Sequence, residues 1–179
     1  MRRMNQHVLI AITFTVFMMS CGLPQPAENM IASDRREWDR ILEITHKKYP
    51  GMDTTKLISR VEFFLGTPYK YGGSNRYGMD CSGFVLSVFK SAFGVDLPHN
   101  AEQIFNKTIS IPLKNIQCGD LVFFENVKGN GISHVGIYLT NTHFVHASSK
   151  KGVTISSFRK DYYKKRYKAV HRVLQLQFR

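Results

Sequence analysis

The chain is short of acid and short of cysteine. Its 13 Asp and Glu stand against 25 Lys and Arg, a formal net charge of +12. That balance excludes an acidic, solvating chain and favours anionic partners: nucleic acid, anionic lipid or an anionic polymer. No nucleic-acid-binding motif accompanies the charge, so no nucleic-acid partner is expected. The three cysteines, Cys21, Cys81 and Cys118, are odd in number, which argues against a disulfide framework. Neither CxxC nor HExxH spacing occurs, so no metal and no cofactor is expected. No internal repeat is present. The longest apolar run, Val8 to Met19, falls short of the ~20 residues that a membrane-spanning helix needs. What remains is a chain of 179 residues, 43% hydrophobic and 12% aromatic, sufficient for one domain with a real core.

The first residues read as a targeting segment. Arg2 and Arg3 precede the apolar run, the layout of a signal peptide over residues 1–20. The segment ends Ser20-Cys21-Gly22. A small residue followed by cysteine resembles a bacterial lipoprotein cleavage site, although Met18 stands where leucine is usual. Lipid on Cys21 would hold the protein to a membrane without a spanning helix. Pro24 and Pro26 mark residues 21–33 as a tether, which leaves 34–179 for the folded domain.

The domain reads as helices followed by strands. Asp34 and Glu37 have capping-box spacing, and Trp38, Ile41, Leu42 and Thr45 share a helical face. Asp53 or Thr54 is expected to cap a second helix that ends at Gly66. A short helix is expected around Ala101 to Phe105. Strands are predicted at Leu121–Phe124, His134–Leu139, His143–Ala147, Val153–Ser156 and Ala169–Leu174. Gly119-Asp120 and Lys128-Gly129-Asn130-Gly131 mark turns. Helices first and then an antiparallel sheet make an α+β layout.

Chemistry concentrates at Met79-Asp80-Cys81-Ser82-Gly83-Phe84. Asp80 can cap a helix whose first turn holds Cys81 and Ser82. The apolar spacing of Phe84-Val85, Val88-Phe89 and Ala92-Phe93 would bury one face of that helix. A thiol at a helix N-terminus meets the positive end of the macrodipole, so a lowered pKa and a reactive thiolate are expected. The alternative is a buried structural cysteine. A thiol nucleophile needs an imidazole base and a third group to orient it. His134 and His146 lie on successive predicted strands. If Thr140-Asn141-Thr142 is the connecting loop, Gly136 stands opposite His146, with His134 diagonal to it on the same face. A two-residue loop would put the rings on opposite faces. His143 points away in this register, and His99 reads as surface or rim.

Five ordered blocks resemble the NlpC-type cell-wall cysteine peptidase family, including its Spr-like murein endopeptidase lipoproteins. They are Thr67-Pro68-Tyr69-Lys70-Tyr71-Gly72-Gly73, Asp80-Cys81-Ser82-Gly83-Phe84-Val85, Gly119-Asp120-Leu121-Val122-Phe123-Phe124, His134-Val135-Gly136-Ile137-Tyr138-Leu139 and Phe144-Val145-His146-Ala147-Ser148. They cover about residues 54–174. The resemblance implies a papain-like α+β fold and a Cys-His-His triad of Cys81, His134 and His146. It places Tyr69 near the oxyanion, and Asp80 and Ser82 where substrate is contacted. It implies cleavage of the γ-D-glutamyl–diamino acid amide of peptidoglycan stem peptides, by a monomer lipid-anchored in the bacterial envelope. The sequence departs from the pattern at Cys118, where proline is common, and at His99, where arginine is frequent. Other readings are a wall amidase or other thiol acyl-transfer enzyme on the same fold, and a non-catalytic lipoprotein that binds wall peptides.

Overall fold

The computed structural model describes residues 32–127 and 131–174. The expected signal segment, Cys21, nearly all of the tether, and Lys128, Gly129 and Asn130 of one expected turn lie outside the described residues.

Four helices, interrupted by one short hairpin, precede the main sheet. Helix α1 (Ala32–Lys48) buries Trp38, Ile41 and Thr45, the face expected from spacing. It starts before Asp34, so that residue falls inside the first turn rather than at the cap. Helix α2 (Met52–Phe64) is entered from Gly51, whose extended backbone leads straight into the first turn without a side-chain cap. The expected caps Asp53 and Thr54 therefore sit within the helix, where Asp53 still faces the positive end of the dipole. Gly66, just past the helix end, has a φ of 77°, a conformation that suits glycine. Helix α3 (Cys81–Phe93) is capped by Asp80 as expected and closed by Gly94 at φ 71°. Helix α4 (Ala101–Lys107) is capped by Asn100, whose side chain accepts from the Gln103 N–H.

The strands β1 (Ser74–Asn75) and β2 (Gly78–Met79) form a small hairpin just before α3. The main sheet contains β3 (Ile109–Ile111), β4 (Leu121–Glu125), β5 (Ile132–Thr140), β6 (His143–Ser148), β7 (Gly152–Ser157) and β8 (Tyr167–Arg172). A short helix α5 (Asp161–Lys164) lies between β7 and β8. All neighbours in the main sheet are antiparallel, in the order β3-β8-β4-β5-β6-β7. The five strands expected from alternation are all present. The elements that escaped it, β1, β2 and β3, are too short to show a period.

Alternation gives the sheet two apolar faces. Leu121, Phe123, Val135, Ile137, Val145 and Val153 join Trp38, Leu57, Phe84 and Val88 in the larger core between sheet and helices. Val122, Phe124, Tyr138, Phe144 and Val170 form a second cluster, with Phe158, Tyr163 and Tyr167 packed against it. His134 and His146 have the parity of this second face.

The β5–β6 hairpin sets the register on which those histidines depend. Its loop has two residues, Asn141 and Thr142, because Thr140 pairs with His143. A regular two-residue loop would have separated the rings. A bulge between Tyr138 and Thr140 absorbs one residue, so Ile137 pairs with Val145 and Tyr138 with Phe144. Continuing that register sets Gly136 opposite His146, as expected from a longer loop. The expected outcome is thus reached by a different turn, with Asn141 at φ 52°.

Gly136 has no room to spare. A β-carbon there would lie 2.8 Å from Phe144 Cδ2 and from the Val145 carbonyl oxygen, and 3.2 Å from His146 Cβ. Gly136→Ala is expected to cost about 1–3 kcal/mol through overpacking. The check is a urea melt, in which an unchanged midpoint would show that the strands yield without cost.

Candidate active site

Cys81 is the first residue of α3, and Asp80 fixes where that helix begins. The Asp80 Oδ1 atom accepts from the Gly83 N–H at 2.7 Å and from the Ser82 hydroxyl at 2.9 Å. It also lies 3.1 Å from His99 Nε2. Its second oxygen accepts from the Gly72 N–H at 2.9 Å. Gly83 lies so close to the Gly73 carbonyl that a β-carbon would collide with it. Helix start and preceding turn are therefore locked together. Burial by itself would raise the Asp80 carboxyl, but the N–H groups of Gly83 and Gly72, the Ser82 hydroxyl and the His99 charge hold it below the ordinary carboxylate value.

The thiol is not the low-pKa group expected from the helix dipole. Burial pushes Cys81 up to about 11, and the Asp80 charge adds to the rise. Hydrogen bonds from the backbone of Val135 and Ser82 oppose this without overcoming it. The Val135 contact ties the thiol to β5 one residue beyond His134.

His134 and His146 meet directly. Their Nε2 and Nδ1 atoms are 2.7 Å apart, with the rings edge to face. Both side chains are buried, and Phe124 and Phe144 flank them. His146 is held well below the ordinary imidazole value, by burial first and then by His134 and Lys160. Its Nε2 lies 3.0 Å from the Ser156 hydroxyl and 3.0 Å from the Tyr163 hydroxyl.

Tyr69, Cys81, His134 and His146 line one cleft of about 330 Å³. Four of the residues singled out in the sequence thus come together. Asp80 and Ser82 do not line it; they lie buried behind Cys81 and are engaged with the turn. His99 sits on Asp80, not on the cleft wall, and His143 faces Glu37 of α1 at 3.5 Å. Cys118 is buried, its thiol pushed up to about 12 by burial and by Asp120. Sequence reasoning missed Ser156, Tyr163 and the lysines Lys150, Lys151 and Lys160 on the cleft wall. Ser156 has a strand-parity signal, since β6 and β7 pair Phe144 with Ser156 and His146 with Thr154. Tyr163 comes from α5, which has no such pattern.

Comparison with known proteins follows the same residues. The sequence model of the NlpC/P60 family matches residues 66–172, and the chain belongs to that family. An Escherichia coli protein named murein DD-endopeptidase MepS/murein LD-carboxypeptidase is 34% identical over 171 residues, covering 92% of this chain and 90% of its own. A Bacillus subtilis gamma-DL-glutamyl hydrolase is 39% identical over 124 residues, covering 69% of this chain and 30% of its own. Among solved structures, a Staphylococcus aureus protein described as similar to lipoprotein, NLP/P60 family, superposes with a TM-score of 0.63 at 28% identity. It covers 68% of this chain and 41% of its own. The papain-like α+β fold that the sequence motifs imply is the fold of these neighbours.

Two pH dependences follow. With the thiol near 11, alkylation of Cys81 by iodoacetamide should keep accelerating as pH rises past 9. A plateau reached below neutral pH would instead reveal a preformed thiolate. His143, His146 and His171 are all lowered, each chiefly by burial. The unfolded chain therefore binds protons that the folded chain refuses. The stability they contribute is complete above about pH 6.5 and is lost as pH falls below it. Thermal melts between pH 7.5 and 5 should show a falling midpoint, and a rising one would refute the assignment.

Proposed function

We propose that the chain is a peptidoglycan endopeptidase with Cys81 as nucleophile, His134 as general base and His146 as the group that orients His134. The observation that carries this is the 2.7 Å His134–His146 pair on the cleft that also holds Cys81 at a helix N-terminus. The reading is supported by the two relatives, one named for cleavage of murein and the other as a gamma-DL-glutamyl hydrolase.

The chemistry starts from a neutral thiol. As substrate fills the cleft, the Sγ proton passes to Nδ1 of His134, since Nε2 is committed to His146. The sulfur attacks the amide carbonyl, forming a C–S bond and an oxyanion. On this reading the Cys81 N–H and Tyr69, which lines the same cleft, stabilise that charge. His134 then gives its proton to the leaving amine, and the C–N bond breaks. Water attacks the thioester, giving one proton back through His134 to the sulfur and releasing a carboxylate. Such general acid–base help contributes about 10²–10⁴-fold. Asp80 and Ser82 serve by setting the helix start. Lys150, Lys151 and Lys160 give the cleft a positive wall without an Asp or Glu among its described lining residues, which suits the carboxylates of stem peptides.

The scissile bond is the γ-D-glutamyl–diamino acid amide on the sequence reading. A second reading, the D,D cross-link, is favoured by the near full-length match to the Escherichia coli protein. The enzyme works outside the cytoplasm, where its substrate lies, as a monomer carried on lipid at Cys21. Among the described residues no helix is long and apolar enough to cross a membrane.

Digestion of purified peptidoglycan, wild type beside Cys81→Ala, tests the reading by mass of the fragments. Fragments ending in D-glutamate, absent with the variant, establish the γ-glutamyl bond. Separated cross-linked stems establish the D,D bond. Release at the sugar–alanine amide makes the protein an amidase. Intact peptidoglycan with folded, reduced protein leaves a binding role.

A further inference from the structure

The pair of hydroxyls beyond His146 has no place in a three-residue account of the site. We propose that Ser156 and Tyr163 are positioning residues that receive the Nε2 proton of His146 and so sustain the tautomer in which His134 can take the thiol proton. The proposal rests on the triad reading above and extends it two residues outward.

The argument is one of counting protons. For His134 to take the thiol proton at Nδ1, its resting proton must sit on Nε2. The 2.7 Å contact then makes His134 Nε2 the donor and His146 Nδ1 the acceptor. A neutral imidazole carries one proton, so that of His146 must sit on Nε2. There it needs an acceptor, because an unsatisfied buried donor is costly. Two are present: the Ser156 and Tyr163 hydroxyl oxygens, each 3.0 Å away and 3.4 Å from one another. A hydroxyl keeps an acceptor lone pair while its own proton is used elsewhere, so either one can receive the His146 N–H. Burial keeps both partners in the required state, holding His146 neutral and raising the Tyr163 phenol so that it stays protonated.

In the opposite tautomer the hydroxyls would donate to His146 Nε2 instead of accepting from it. With the proton on His146 Nδ1, His134 Nε2 would become the acceptor. The His134 proton would move to Nδ1, the atom that must be empty to receive one from Cys81. The positions of the two hydroxyls in the chain support a shared role. Ser156 comes from β7 and Tyr163 from α5, so separate elements converge on one ring nitrogen.

Long-range ¹H–¹⁵N spectra of selectively labelled histidine read the tautomer directly in the uncut protein. His146 is expected to carry its proton on Nε2 in the wild type, and a proton on Nδ1 overturns the proposal without touching the catalytic reading. Steady-state kinetics on cross-linked muropeptides then compare Ser156→Ala, Tyr163→Phe, the double variant and Ser156→Thr/Tyr163→Phe. Each single variant keeps one acceptor and should lose little. The double variant should lose about 10–100-fold in kcat at unchanged KM, a part of the 10²–10⁴-fold general-base contribution. The variant with threonine should recover most of the loss, because it restores one hydroxyl. Equal losses in kcat and KM, or no recovery with threonine, would reduce both residues to packing. Failure of wild type to cleave any stem would remove the catalytic reading while leaving the spectroscopic result standing.

Discussion

One buried carboxylate holds the entrance to the central helix. Asp80 takes donors from Gly72 in the preceding turn, from Ser82 and Gly83 in the first turn of α3, and from His99 beyond that helix. Charge-assisted hydrogen bonds of this kind are among the stronger ones a protein makes. The turn around Gly72 and Gly73 is thereby fixed to the first turn of α3, and Cys81 has no freedom of its own. Moving the carboxylate would move the sulfur relative to β5, whose Val135 N–H reaches it. The acid beside the nucleophile is thus a part of the scaffold, and its charge is tolerated at the cost of making the thiol harder to ionise.

The resting site is electrically quiet. Burial raises the thiol and lowers His146, and both effects favour uncharged partners. A helix terminus contributes only a partial charge, which desolvation outweighs here. The groups are preorganised for charge that appears during reaction rather than charge that is stored beforehand. The aromatic walls around the histidine pair serve that end, since Phe124 and Phe144 pack their rings against the two imidazoles.

Local signals in the sequence were the readable ones. Asp80 followed by an apolar helical stripe announced both the cap and the helix, and strand alternation found every long strand. The pairing of His134 with His146 was legible only up to a register. The bulge that restores that register leaves Tyr138 and Phe144 together on the second face, an outcome that no turn sequence specifies. Asp34 and Asp53 looked like caps and are not, because α1 starts before Asp34 and α2 is entered directly from Gly51. The thiol pKa was misjudged for a similar reason: the dipole is visible in a sequence, but burial is a property of the assembled molecule. Tyr163 lay in a basic stretch whose side chains could be placed on the site only by the fold.

The strand order carries a consequence for how the molecule is made. The last strand, β8, is inserted between β3 and β4, and Arg172 at its end clasps Asp120 through both carboxylate oxygens. A chain still emerging can form α1, α2 and α3, thiol included, but its sheet has a missing slat. Long-range pairings of this kind form late. The cleft is lined by residues from Tyr69 to Tyr163, so β8 adds nothing to its wall and bears on the site only through β4, the neighbour of β5. The strand is a brace on the far side of β4 from the histidine pair, and it closes the gap between β3 and β4 without touching the chemistry.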